Sequence, residues 1–184
     1  SFTKDYSGRV IVCCGIFRFT GKVIETTMNP AEEIVKFWLQ EQGYFLQSSI
    51  RLPKNKEIDI LAIDPKTNNK FHIEVSVSVR CANYDKNAEQ FTKEFSDRKF
   101  DSVEEFVTKI LREKYTRILV VGNISFKNKD IRQEFITECR KLNLEIVLFQ
   151  DILNKVRPLL GTKTHLNSII KAIQLAEVFE GTNE

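Results

Sequence analysis

The sequence predicts an α/β domain, a mixed β-sheet flanked by helices, and three observations carry that prediction. RILVVGNI at 117–124 and EIVLF at 145–149 are nearly continuous, β-branched apolar runs separated by a helical stretch near 128–142. A β-α-β unit of that kind makes parallel strands buried on both faces. EIDILAIDPKTNNKFHIEVSVSV at 57–79 places two apolar runs around a turn-like DPKTNN, the pattern of an antiparallel hairpin. Between Asn29 and Gly43 apolar residues recur at helical spacing. Parallel and antiparallel pairs in one chain, interleaved with helices, imply a mixed sheet.

In order along the chain, RVIVCCGIFRF at 9–19 reads as a strand, with a second short strand near 22–26 after Thr20-Gly21. Asn29-Pro30 opens a helix, with Asn as N-cap and Pro at the first helical position. Its stripe of Ala31, Ile34, Val35, Trp38, Leu39 and Gln42 faces the core, and Gly43 ends it. YFLQSSI at 44–50 leads as a strand toward the hairpin. A helix follows over 86–97. Ser102 and Glu105 form a capping box for another through about Lys114. After the β-α-β unit, DILNKVRPLL at 151–160 makes a short helix stopped or kinked near Pro158, and 166–179 makes a last one. We read 1–184 as a single domain: a motif-bearing core of about 29–150, an N-terminal strand extension (1–28) and C-terminal helices (151–184).

Composition sets the broad class. The 184 residues are 42% hydrophobic and 29% charged, with a net charge of +3, ordinary for a soluble globular protein. That mild excess permits a nucleic-acid partner without arguing for one. The four cysteines, at 13, 14, 81 and 139, form no C-x-x-C pair, and His72 and His165 are the two histidines. A structural zinc site is therefore not expected, and buried thiols in a reducing cytoplasm are. The longest apolar stretch, VIVCCGIF, is too short to span a bilayer.

The hairpin carries the chemistry. Strand side chains alternate faces, so Glu57 and Asp59 share one, as do His72, Glu74, Ser76 and Ser78 on the second strand. Ile58, Ile60 and Ala62, with Phe71, Ile73, Val75, Val77 and Val79, form the core face. If the hairpin turns about the Lys66–Thr67 bond, residues whose numbers sum to 133 lie opposite one another, and Asp59 faces Glu74 while Glu57 faces Ser76. Opposed Cβ atoms lie roughly 4.5–5.5 Å apart, where like charges repel unless neutralised. Mg²⁺ or Mn²⁺ would neutralise such a carboxylate pair. Glu32, at the edge of the helix's apolar stripe, leans toward the sheet, and Glu33 points to solvent.

An acidic helix residue, then a strand Asp, then Glu-x-(Lys) on the paired strand resembles the PD-(D/E)xK, or restriction-endonuclease-like, nuclease superfamily. AEEIVKFWLQEQGYF is similar to the first helix of archaeal Holliday-junction resolvases. The resemblance spans about residues 29–80. It implies a restriction-endonuclease-like sheet and a divalent-metal-dependent DNA endonuclease using Mg²⁺ or Mn²⁺. Glu32, Asp59 and Glu74 fall on the metal-binding and catalytic acids, and relatives of this kind often act as homodimers. The family lysine belongs two residues after Glu74, where this chain has Ser76, which can do only part of that work. In the superfamily the lysine sometimes moves to a neighbouring element. Lys56, Arg80 and Lys93 are the candidates here, with Gln90 a further polar one; strand parity points Lys56 away from the acids.

Arg51, Lys54 and Lys56 before the hairpin, and Arg80 and Lys93 after it, are positioned to meet nucleic-acid phosphates. His72 reads as a surface histidine, Glu57 as an exposed or structural carboxylate, and Trp38 as core. The alternative to an enzyme is an inactive nuclease-like module that binds nucleic acid or a protein partner, and Ser76 is its main support.

Overall fold

A computed structural model describes Thr3–Lys4, Val10–Ile11 and residues 29–77, 88–112, 114–122, 129–161 and 165–180. The expected strands at 9–19 and 22–26 lie almost wholly outside the described residues. Two short pieces there, β1 (Thr3–Lys4) and β2 (Val10–Ile11), pair antiparallel.

The main element is a five-stranded mixed sheet in the order β3-β4-β5-β6-β7. Its strands are β3 (Phe45–Leu52), β4 (Lys56–Ile63), β5 (Lys70–Ser76), β6 (Thr116–Val121) and β7 (Leu144–Leu148). The first two pairings are antiparallel and the last two parallel. This is the α/β class that the sequence predicts.

β6 and β7 are parallel because α4 (Lys129–Lys141) carries the chain back between them. α2 (Ala88–Lys99) and α3 (Glu104–Leu111) do the same between β5 and β6. The hairpin register is the expected one. Ile60 pairs with Ile73 and Ile63 with Lys70, every pair summing to 133, and Asp64 exchanges backbone hydrogen bonds with Asn68 and Asn69 across the turn.

Helices cover both faces. On one, α1 (Pro30–Glu41), α5 (Phe149–Leu160) and α6 (Ser168–Glu180) pack Ala31, Val35, Leu39, Ile152, Val156 and Ile170 over Ile60, Ala62, Ile73, Val75 and Val120. On the other, Phe95 and Phe100 from α2 and its C-terminal end join Phe135 and Cys139 of α4 over Leu119, Val121 and Leu144. β6 alternates between the two cores, which explains its continuous apolar run. A third cluster joins Val103, Val107 and Leu111 to Ile58 and Leu61.

That cluster corrects one expectation: Ile58 does not share a core with Ile60 and Ala62. The neighbouring strand β3 is irregular at the same level. Ser49, in register with Asp59, has φ +53, and the recorded pairs skip from Ser48↔Ile60 to Ile50↔Ile58. A left-handed residue inside a strand bends it locally.

Other boundaries differ for local reasons. Asn29 caps α1 as expected, its Oδ1 accepting the Ala31 N–H at 3.1 Å, and Gly43 leaves the helix at φ +85. The Ser102/Glu105 capping box does not form. A 3-10 turn over Asp101–Val103 precedes α3, and the Ser102 hydroxyl donates back to the Arg98 carbonyl. α3 ends at Leu111 rather than Lys114, with Arg112 left-handed at φ +57. α5 runs two residues beyond Pro158, the position where a break was expected.

Candidate functional site

The site forms where the sheet opens. Pairing of β4 with β5 stops at Ile60–Ile73, yet β4 continues beside β3 to Lys56 and β5 beside β6 to Ser76. The next residues inward are Asp59 and Glu74. In place of a backbone carbonyl, the Asp59 carboxylate fills the gap, with Oδ2 accepting the Val75 N–H at 2.8 Å. The bend opposite Asp59 at Ser49 accompanies this departure from a regular ladder.

Both acids are buried rather than solvated. Asp59 is 5% exposed and Glu74 fully buried. Burial is the largest influence on Asp59, the nearby Glu74 charge adds to it, and together they raise its pKa to about 7. Glu32, half-buried on α1, is also raised, first by burial and further by Glu57 and Glu74, while the Asn29 amide donates to its Oε1 at 2.7 Å and works the other way. The charges of Glu32, Asp59 and Glu74 therefore act on one another.

The cation beside them is one the sequence reading missed. Lys99, the last residue of α2, places Nζ 2.8 Å from Glu74 Oε2 and 3.6 Å from Asp59 Oδ1. Burial disfavours its charge, but Glu74 and Asp59 outweigh that and hold its pKa above the ordinary lysine value. At 2.8 Å the ammonium holds Glu74 Oε2 by charge and by hydrogen bonding together. Lys99 stayed hidden because the expected helix ends at Asp97. Two further residues complete the turn that turns Lys99 back to the strands.

Of the expected cations, Lys93 is exposed on the same helix and Gln90 bonds to Glu94. Lys56 donates to the Ser102 carbonyl at 2.6 Å, away from the acids as parity requires. Arg80 lies outside the described residues. Arg51 is exposed and pairs in register with the exposed Glu57, and Lys54 sits in the β3–β4 turn with φ +62. Arg51, Lys54 and Lys56 thus belong to the β3–β4 turn and the strand ends beside it. Ser76 is exposed at the end of β5.

Two further expectations need correction. His72 is no surface histidine: it is fully buried, its Nε2 lies 2.9 Å from Glu74 Oε1, and its ring stands edge-on to Phe100 at 4.9 Å. Glu33 is not simply solvated. It pairs with Lys36 at 2.6 Å and accepts from Asn167 Nδ2 at 2.7 Å, which ties α1 to the start of α6.

Among the described residues, no three His, Cys, Asp or Glu side chains converge closely enough to hold a metal ion by themselves. The Asp59–Glu74 pair still fits one, because Mg²⁺ is commonly held by one or two carboxylates with waters completing its shell. Glu74 Oε2, buried against the Lys99 ammonium, is the oxygen that such an ion would share.

No protein-family model matches this chain, and no curated protein does. A solved structure described as "Protein of Unknown Function AF1548" is similar at a TM-score of 0.40 and 13% identity, covering 66% of this chain. This chain spans 59% of that one. Among the described residues, no helix is long and apolar enough to cross a membrane.

Proposed function

We propose that the protein is a divalent-metal-dependent, restriction-endonuclease-like DNA endonuclease whose lysine is supplied by Lys99 of α2 instead of residue 76. The observation that carries this reading is the Lys99 ammonium at 2.8 Å from Glu74 and 3.6 Å from Asp59, beside the carboxylate pair that the hairpin register brings together. One ammonium against the carboxylates of Asp59, Glu74 and Glu32 leaves a local excess of negative charge, which favours a further cation.

Asp59 and Glu74 would hold Mg²⁺ or Mn²⁺, with Glu32 at the edge. A bound divalent ion would polarise a phosphoryl oxygen and lower the pKa of a water. The protein's own groups do the rest. Lys99, its side chain 30% exposed, can reach a non-bridging phosphate oxygen and steady the charge that develops there. Its ionic contact with Glu74 keeps it aimed at the site. Glu32, made more basic by burial, suits proton acceptance beside the attacking water. Arg51 and Lys54, exposed near the β3–β4 turn, suit contact with flanking phosphates. The expected partner is DNA in the cytoplasm, and a homodimer is the assembly that the resemblance suggests.

One observation favours a second reading, a nuclease-like module that binds without cutting. Lys99 already neutralises part of the acid pair, and such a network can be purely structural. Cleavage of linear, nicked and branched DNA with Mg²⁺ or Mn²⁺ separates the two. The enzyme reading expects cutting that Asp59→Ala and Glu74→Ala each reduce by more than about 100-fold, on the scale of losing a transition-state-stabilising group. DNA binding without cutting supports the module instead.

A further inference from the structure

His72 is an odd residue to bury at this point of the fold. It is fully enclosed, against Phe100 at 4.9 Å and Tyr115 at 6.2 Å, and its Nδ1 has no hydrogen-bond partner. A buried polar atom left unpaired costs roughly 1–3 kcal/mol, which a leucine or phenylalanine in the same aromatic setting would avoid. What the imidazole gains is Glu74. Residues two apart on a strand share a face, and Nε2 comes to 2.9 Å from Glu74 Oε1. The Lys99 ammonium offers only N–H donors to the other oxygen, so Glu74 accepts there. With Glu74 as a carboxylate, Nε2 must carry the hydrogen, and the bare Nδ1 is left as a lone pair, the cheaper group to leave unpaired.

We propose that His72 is a positioning residue for Glu74: its Nε2–H holds Oε1, so that Oε2 stays turned toward Lys99, whose ammonium also lies 3.6 Å from Asp59 Oδ1, and presents one oxygen to a cation. The inference rests on the metal-site reading above. The geometry is that of a donor fixing a ligating carboxylate from behind, an arrangement that raises metal affinity without touching the metal. Without the Nε2–H, the Lys99 contact at Oε2 would be left to hold the carboxylate, and a rotated carboxylate would offer the cation neither oxygen at the right place.

The test compares His72→Phe, which keeps the ring's volume without its N–H, with His72→Gln, whose amide can donate in its place. Mn²⁺ affinity is measured by calorimetry on the full chain, alongside the Mn²⁺ dependence of DNA cleavage, with circular dichroism to confirm folding. His72→Phe should weaken Mn²⁺ binding by about 10-fold. It should raise the Mn²⁺ concentration for half-maximal cleavage by the same factor and leave kcat at saturating Mn²⁺ nearly unchanged. His72→Gln should restore most of the affinity. Unchanged affinity in His72→Phe, while Asp59→Asn abolishes binding, would overturn this inference and spare the metal site. Equal weakening in both His72 variants would also overturn it, because packing and not the N–H would then be responsible. Absence of Mn²⁺ binding by the wild type would overturn both readings. If His72→Phe does not fold, His72→Asn, too short to reach Oε1, replaces it against His72→Gln on the same criteria.

Discussion

Asp59 holds its proton more tightly in the folded chain than it would in the unfolded one, because burial and Glu74 raise its pKa from 3.8 to about 7. The sign of the consequence is fixed: where the native state binds more protons than the unfolded state, stability falls as pH rises. In the presence of a chelator, stability should therefore decline between about pH 4 and pH 7 and level off above that. Asp59→Asn, which cannot ionise, should flatten this part of the profile in urea melts across pH. Ser49 is the other residue under constraint, held at φ +53 in a strand position opposite Asp59. Left-handed backbone costs a non-glycine residue roughly 1–2 kcal/mol. Ser49→Gly should raise the stability measured in urea by about 1 kcal/mol, and Ser49→Val, whose branched side chain tolerates that backbone poorly, should lower it by about 1–2 kcal/mol. The residue pattern gave no warning of this bend. Serine is common in strands and turns alike, and the alternation of FLQSSIRL continues through it.

At the scale of elements, α1 and α2 deliver the side chains that the strands cannot. The N-terminus of α1 was legible because Asn29-Pro30 states it chemically, and the cap forms as written. Asn29 also holds Glu32, three residues on, so cap and site share a residue. Asn29→Ala should lower stability by about 1 kcal/mol in thermal or urea unfolding. If the enzyme reading holds, it should also reduce cleavage, because Glu32 loses the contact that fixes Oε1. The C-terminus of α2 was not legible. FSDRKF carries no glycine or proline to mark a stop, and tertiary packing of Phe100, fully buried beneath His72, sets where the helix ends. An error of two residues there concealed Lys99, the cation for which the strand offered only Ser76. His72 was misread for a related reason. A histidine near a hairpin turn looks solvated until a helix and its following turn are laid over that face.

For the whole molecule, helices on both faces of the sheet turn what reads as the wet side of a hairpin into an interior. The hairpin register and the α/β class were legible because local patterns specify them. The depth of the acid pair was not, since it depends on chain that arrives some 25 residues later in sequence. Cys139 reports on that interior. Burial pushes its thiol up to about 12, so at pH 8 it is a poor nucleophile as well as an inaccessible one. Its alkylation, followed by mass spectrometry of the Cys139 peptide, should track global unfolding in denaturant rather than precede it. In the proposed function, Lys99 completes the Asp59–Glu74 pair as a working site. The most direct test is single-turnover DNA cleavage with Mn²⁺ by wild type, Lys99→Arg and Lys99→Met, each verified as folded. Lys99→Met should lose at least about 100-fold in rate, the scale of a lost transition-state contact, and Lys99→Arg should retain part of the activity. Cleavage by Lys99→Met at the wild-type rate would contradict this role of Lys99.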